Sequence, residues 1–260
     1  AKMKLSIIVP VYNSSDILHK LHERILRVIT KMNLVNNFEL ILINDFSKDN
    51  SWKSIETLAR NSNHIVGINL VENFGQHNAL MAGLNYAKGD YVITLDDDLQ
   101  HPPESIPDII DQLKSFDVCY TNYKNRQHVN WKKAVSYINN VVSSFLLNKS
   151  LKIYMSSFRG LKKNIVSEII KFKEPDVYLD GLIIGSTKKI GIITVEHFAR
   201  YSGNSNYNLK KLLILWSNML INFRFFPFRL ASIPGIVLKF IIKNFRKKNT
   251  KQQYKILEKI

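Results

Sequence analysis

A chain of 260 residues with 45% hydrophobic content can fill one large α/β core, which excludes a disordered chain. A formal charge of +16 and a pI near 9.8 point to anionic partners: a nucleic acid, a phospholipid surface or a phosphorylated substrate. The single cysteine, Cys119, excludes an internal disulfide framework and fits a reducing compartment.

Lys4 to Val11 is a β-branched run carrying Pro10, and Asp16 to Met32 places Leu18, Leu21, Ile25 and Ile29 at helical spacing. The first apolar run is too short for a signal peptide, so the chain is expected on the cytoplasmic side. Phe38 to Ile43 is a second strand closed by Asn44-Asp45, and a helix follows from Ser51 to Arg60 with Asp49 or Ser51 to cap it. Ile65 to Leu70 is a third strand, Gln76 to Ala87 a helix with Gly89 just beyond, and Tyr91 to Leu95 a strand running into three aspartates. Pro107 to Lys114 is another helix, and Val118 to Thr121 a strand in which Cys119 reads as a buried apolar residue. This alternation predicts a mostly parallel sheet with helices on both faces. Beyond it the β-α rhythm fades.

The final third changes character. Leu209 to Phe226 is rich in large apolar residues, and Leu230 to Phe245 mixes them with lysines. Neither reaches the roughly 20 uninterrupted apolar residues of a spanning helix. Both read as amphipathic helices on an anionic bilayer surface, or as a helix pair packed on the core or used for dimerisation, which leaves a homo-oligomer open. Gln252 to Ile260 reads as a frayed tail. The expected division is a catalytic domain over 3–208, amphipathic juxtamembrane helices over 209–248 and a basic tail over 249–260.

In parallel sheets ligands bind beyond the carboxyl ends of the strands, and the polar residues collect there. Asp96, Asp97 and Asp98, with Gln100 two residues on, are carboxylates close enough to repel unless neutralised, and a divalent cation shared with substrate phosphates is the natural neutraliser. A solvated acidic turn would look the same. Tyr12, Asn13 and Asp45 follow other strands and could bind a base or ribose. The stretch from Glu72 to Asn78 offers a glycine turn and a helix amino terminus whose N–H groups suit an anion.

Together these ordered motifs resemble the inverting family-2 glycosyltransferases of GT-A fold. The likeness rests on Ile8-Val9-Pro10-Val11-Tyr12-Asn13, Asn44-Asp45, Asn73-Phe74-Gly75-Gln76 and Asp96-Asp97-Asp98-Leu99-Gln100-His101-Pro102-Pro103-Glu104, within roughly Leu5 to Leu230. Within the family it is similar to the polyprenyl-phosphate transferases, such as dolichol-phosphate mannose synthase and the undecaprenyl-phosphate aminoarabinose and glucosyl transferases. The resemblance implies a UDP-, GDP- or dTDP-sugar donor held by Pro10, Tyr12, Asn13, Asp45, Asn73, Gln76 and Asp97. It also implies Mg²⁺ or Mn²⁺ on Asp96, Asp98 and Gln100. Arg126, Lys132, Lys133 and Arg159 would face the acceptor phosphate, and Arg200, Ser205 and Tyr207 would belong to a loop over the donor. The chain departs from the pattern at Lys152-Ile153-Tyr154, where an acidic residue is usual, at Asn206 in place of a lysine, and in lacking a pair of spanning helices after Leu230. It is therefore expected as a peripheral protein on the cytoplasmic face of the membrane.

The reaction implied is one in-line displacement at the anomeric carbon. A lipid phosphate acceptor needs positive charge rather than a base, whereas a hydroxyl on a lipid-linked glycan needs a carboxylate, for which Asp180 is the candidate if it is not simply a helix cap. Two rivals are weaker. A nucleic-acid-binding module has no use for the triple aspartate, so no nucleic-acid partner is expected, and a sugar nucleotidyltransferase wants a glycine-rich phosphate loop where Val11-Tyr12-Asn13-Ser14-Ser15 stands.

Overall fold

The computed structural model describes residues 3–123, 153–175, 177–196 and 252–260. Their strands are β1 (Leu5–Val11), β2 (Phe38–Asn44), β3 (Ile65–Leu70), β4 (Tyr91–Thr94), β5 (Val118–Tyr123), β6 (Arg159–Lys162), β7 (Ile190–Val195) and β8 (Ile256–Lys259). Among the described residues they form one sheet of order β7-β5-β6-β4-β1-β2-β3-β8. The strands run parallel except β6, antiparallel to both β4 and β5, and β8, antiparallel to β3.

Both faces are covered, which is why β1 and β2 are buried along their whole length and, apart from the buried Ser6, Glu39 and Asn44, read as near-continuous apolar runs rather than alternating ones. On one face α1 (Leu18–Lys31), α2 (Ser51–Arg60) and α4 (Ile106–Ser115) bury Leu21, Ile25, Ile55 and Ile109 against Ile7, Val9, Leu40 and Ile93. On the other, α3 (Gln76–Tyr86), α5 (Lys163–Ile169) and α6 (Leu179–Ser186) pack Leu80, Ile165 and Ile183 against Ile8, Ile41, Val92 and Leu161. Gly83 permits the close seat of α3, because a β-carbon there would stand 2.5 Å from Ile8 Cγ2 and 2.9 Å from Ile43 Cδ1. Cys119 is sealed in β5, and burial pushes its thiol up to about 12, so it is an inert core residue.

Two features depart from the sequence reading. The β-α rhythm fades after β5 because β6 returns antiparallel between β5 and β4, with Arg159 level with Thr94 on one side and Tyr120 on the other. The expected frayed tail is an error over Gln252 to Ile260. Gly67 and Ile260 exchange N–H···O bonds of 2.9 and 3.0 Å, Val71 N–H donates to Lys255 O at 3.0 Å, and Gln253 Nε2 donates to Phe172 O and Glu174 O at 3.2 Å. The edge of β3 would otherwise present unpaired backbone groups, and β8 satisfies them. Its exposed side chains carry no core pattern, so local periodicity could not reveal it. Among the described residues no helix is long and apolar enough to cross a membrane. The stretch 209–248 read as amphipathic helices lies outside the described residues.

At the end of the sheet remote from the acidic loop, His22 Nε2 and His64 Nε2 stand 3.1 Å apart, and the His64 ring packs on Phe38. Burial lowers the pKa of both below the ordinary 6.5, and repulsion from His64 and then His19 lowers His22 further. In the unfolded chain these rings take protons first, so the stability they confer is complete above 6.5 and is lost as pH falls below it. The melting temperature is expected to drop between about pH 7.5 and 5.5, and His64→Gln to flatten that slope in calorimetry. An unchanged slope in the variant would show that the pair is not the sensor.

Candidate active site at the carboxyl edge of the sheet

The loop after β1 and the loop after β2 are braced into one body. Asp45 N–H donates to Val11 O at 2.9 Å, and Asn13, with a left-handed φ of 55°, donates its N–H to Ser47 Oγ at 3.0 Å. Asn13 Oδ1 in turn accepts from Lys48 N–H at 2.7 Å, and Ser14 N–H donates to Ser51 Oγ at 2.9 Å. Asp49 does not cap α2 from the N-cap position, which Asn50 occupies. Its carboxylate instead accepts from Ser51 N–H and Oγ and from Ser15 N–H. Burial alone would raise the Asp49 pKa, but the Ser51 and Ser15 donors outweigh it and hold the group below its usual range. Pro10 is buried inside β1, while Tyr12 stands 40% exposed at the rim.

Asp45, directly after β2, is almost sealed from water, and both of its oxygens take backbone N–H groups of the turn before α3. Oδ1 accepts from Phe74 at 2.7 Å and Oδ2 from Gly75 at 2.9 Å, while Asn73 Nδ2 donates to Asp45 O at 3.0 Å. Gly75 holds φ 86°, which a residue with a β-carbon adopts only under strain, and α3 begins directly after it. Asp45 therefore fixes the turn that aims α3, whatever else it binds.

In the turn after β4 the three carboxylates diverge. Asp96 Oδ1 accepts from Gln76 Nε2 and Oδ2 from Ser157 Oγ, both at 2.6 Å. Asp97 turns to the first loop, where Oδ2 accepts from Tyr12 N–H at 3.0 Å and Ser14 Oγ at 2.5 Å. Burial pushes the Asp97 carboxyl up to about 6, against those two donors and with the charges of Asp96 and Asp98 adding to the rise. Asp98 Oδ1 accepts from Gln100 N–H at 3.1 Å, and Leu99 between them takes a left-handed φ of 60°.

The loop is anchored from behind. Asp96 N–H donates to His101 Nδ1 at 3.2 Å, so the ring proton sits on Nε2, which reaches Tyr123 Oη at 2.8 Å, and Tyr123 Oη meets Ser156 Oγ at 2.6 Å. Burial raises the Tyr123 phenol far above its ordinary range and keeps it a neutral link. Arg24 clamps the loop exit through a bidentate pair with Glu104 at 3.1 and 2.6 Å.

Among the described residues no three acidic, histidine or cysteine side chains form a ready-made cation cage. That is compatible with the donor set, since Mg²⁺ is commonly held by one or two carboxylates with substrate phosphates and water completing its octahedron. Asp96 and Asp98, on either side of the inward-turned Asp97, fit an ion of that kind in company with a diphosphate.

Arg159 and Asp180, assigned separate roles from the sequence, meet each other. Arg159 is 1% exposed, and its Nη1 is bonded to Asp180 Oδ1, which also accepts from Tyr120 Oη at 2.8 Å. The guanidinium lies 5.7 Å from the centre of the Tyr120 ring, and its Nε has no partner among the described residues. Burial alone would lower the arginine's proton affinity, but Asp180 and Tyr120 raise it. His77 in α3, half-buried, packs edge-on to Tyr178 at 5.6 Å, and burial lowers its pKa. Ser14, Ser157 and Tyr123 support the aspartates and went unassigned in the sequence, because each works through a partner far along the chain. Arg126, Lys132, Lys133, Arg200, Ser205 and Tyr207 lie outside the described residues.

Residues 6–170 match the family model described as Glycosyl transferase family 2. The undecaprenyl-phosphate 4-deoxy-4-formamido-L-arabinose transferase of Proteus mirabilis (strain HI4320) is 35% identical over 237 residues, 90% of this chain and 72% of that protein. Its counterpart from Photorhabdus laumondii subsp. laumondii gives the same identity over the same shares. In structure the chain is similar to glucosyl-3-phosphoglycerate synthase of Mycobacterium tuberculosis, solved with Mn²⁺, uridine diphosphate and phosphoglyceric acid. The TM-score is 0.58 at 16% identity, covering 83% of this chain and 75% of that one. It is also similar to S. aureus TarS in complex with UDP, with a TM-score of 0.54 at 18% identity over 94% of this chain and 70% of that one. These likenesses establish the GT-A fold, and with the matched model and the 35% identical relatives they show that the chain belongs to glycosyl transferase family 2 and is a glycosyltransferase.

Proposed function

We propose that the enzyme moves a sugar from a nucleotide-diphosphate sugar to a polyprenyl phosphate held in the membrane, inverting the anomeric carbon. The observation that carries this reading is the cross-braced carboxyl edge. There the first loop, the Asp45-held turn and the Asp96 to Asp98 loop are tied to one another by Asp97, Gln76 and Asp45. Pro10, Tyr12, Asn13, Asp45 and Asn73 would bind the nucleoside, and Asp96, Asp98 and Gln100 would hold Mg²⁺ or Mn²⁺ against the diphosphate. When bound, that ion neutralises the charge that builds on the leaving diphosphate.

An oxygen of the acceptor phosphate forms the new bond to the anomeric carbon. The bond to the donor diphosphate breaks, and its electron pair leaves with the nucleoside diphosphate. No proton needs a base, because the nucleophile is already an anion. Asp180, the candidate base for a hydroxyl acceptor, has Oδ1 engaged by Arg159 and Tyr120, which favours the phosphate acceptor. Arg126, Lys132 and Lys133, together with Arg159, would supply the positive charge that holds it, and Arg200, Ser205 and Tyr207 would cover the donor. The P. mirabilis relative, named for undecaprenyl phosphate, supports the same class of acceptor.

β7 runs with the parallel strands and β8 against them, so the chain leaves the carboxyl edge after Val195 and re-enters the sheet from that edge at Ile256. That arrangement supports a peripheral seat with the catalytic edge toward the lipid. The test is incubation with Mn²⁺ and a panel of UDP-, GDP- and dTDP-sugars, with and without undecaprenyl phosphate. Release of one nucleoside diphosphate is expected to depend on the lipid phosphate. Lipid-independent release, or transfer only to a glycan hydroxyl, would overturn the acceptor assignment.

A further inference from the structure

Phe46 stands between the buried Asp45 and the half-buried Ser47, itself 49% exposed and with its backbone at a left-handed φ of 60°. Both features are unfavourable for a phenylalanine. The β-carbon crowds the backbone in that region, and a ring left in water forfeits its burial. Bulky residues held at such angles gather at ligand sites, where the surrounding structure imposes the conformation. The surroundings do so here. Asp45 N–H is tied to Val11 O at 2.9 Å and Ser47 N–H to Asn44 Oδ1 at 3.2 Å, so the backbone on either side of the ring is held. A second exposed aromatic, Tyr12, lies on the adjacent loop: the β1/β2 register ends with Val11 beside Asn44, which brings Tyr12 level with Asp45. The two loops are locked by Asn13 N–H to Ser47 Oγ at 3.0 Å and Lys48 N–H to Asn13 Oδ1 at 2.7 Å.

We propose that Phe46 supplies an aromatic face on which the base of the sugar nucleotide stacks, beside Tyr12 on the neighbouring loop. The proposal rests on the nucleotide-sugar reading above and adds a residue that determines donor affinity. Stacking suits a fixed ring at this place, because every base has a π-face and a ring already held in position loses little freedom when the ligand arrives. It also accounts for a bulky residue at an angle that glycine adopts without strain.

The test compares Phe46→Gly and Phe46→Tyr with the unaltered protein by titration calorimetry, using UDP, GDP, dTDP and inorganic pyrophosphate, alongside thermal denaturation and donor kinetics. Phe46→Gly is expected to raise the melting temperature by relieving the backbone, so weaker binding could not be ascribed to misfolding. It is expected to bind the preferred nucleoside diphosphate about tenfold more weakly, with a matching rise in donor KM and little change in kcat. Phe46→Tyr restores affinity, and pyrophosphate binding is unchanged throughout. Unaltered nucleotide affinity in Phe46→Gly, or an equal loss for pyrophosphate, overturns the stacking role while leaving the donor reading intact. If the unaltered protein binds none of the three nucleotides, the donor reading fails and the stacking role falls with it.

Discussion

Asp98→Ala is expected to lower nucleoside diphosphate release by more than about a hundredfold, because removing even an outer-sphere partner of a metal ligand typically costs about 10- to 100-fold. The fold should survive. The Oδ1 contact of Asp98 is to Gln100 N–H within its own loop, at 3.1 Å, and loss of such a rim contact changes stability by under about 1 kcal/mol. Titration of Mn²⁺ in the presence of the nucleoside diphosphate, followed by paramagnetic resonance, separates ion binding from turnover. A variant that binds Mn²⁺ and turns over normally would remove Asp98 from the proposed cation site.

Arg159→Leu is expected to destabilise the protein by about 3–5 kcal/mol, since it leaves the Asp180 carboxylate buried without its cation. Arg159 is 1% exposed and paired deep against Tyr120, so little solvent screening weakens that cost. The double variant Arg159→Met/Asp180→Leu should recover most of the stability, because a buried pair replaced by apolar residues of similar volume is often neutral. Urea denaturation of the three proteins checks this. A loss below about 1 kcal/mol in the single variant would mean that water reaches the pair and that Asp180 is open to act as a base.

The strands before the acidic loop were legible because each is a local event. Lys4 to Val11, Phe38 to Ile43 and Ile65 to Leu70 are apolar runs stopped by polar residues, and the structure ends β1, β2 and β3 within one residue of those limits. Asp45 and Asp96 to Asp98 could be placed at one edge because parallel strands joined by helices bring their carboxyl ends together. The work those carboxylates do within the fold was not legible. Asp45 binds the backbone of Phe74 and Gly75, and Asp97 binds Tyr12 and Ser14, across separations that no short-range period records.

The amino-acid sequence by itself determined the alternating α/β order, the sheet edge at which chemistry collects, and the family to which that order of motifs belongs. Those properties follow from hydrophobic period and from strand direction, both written in neighbouring residues. Only the tertiary structure decided that β6 and β8 run against the sheet, that Arg159 and Asp180 satisfy each other, and that Phe46 stands exposed on a strained backbone. Each of these depends on which unpaired backbone edge, buried charge or held loop meets which distant partner, and that pairing exists only once the chain has closed around its core.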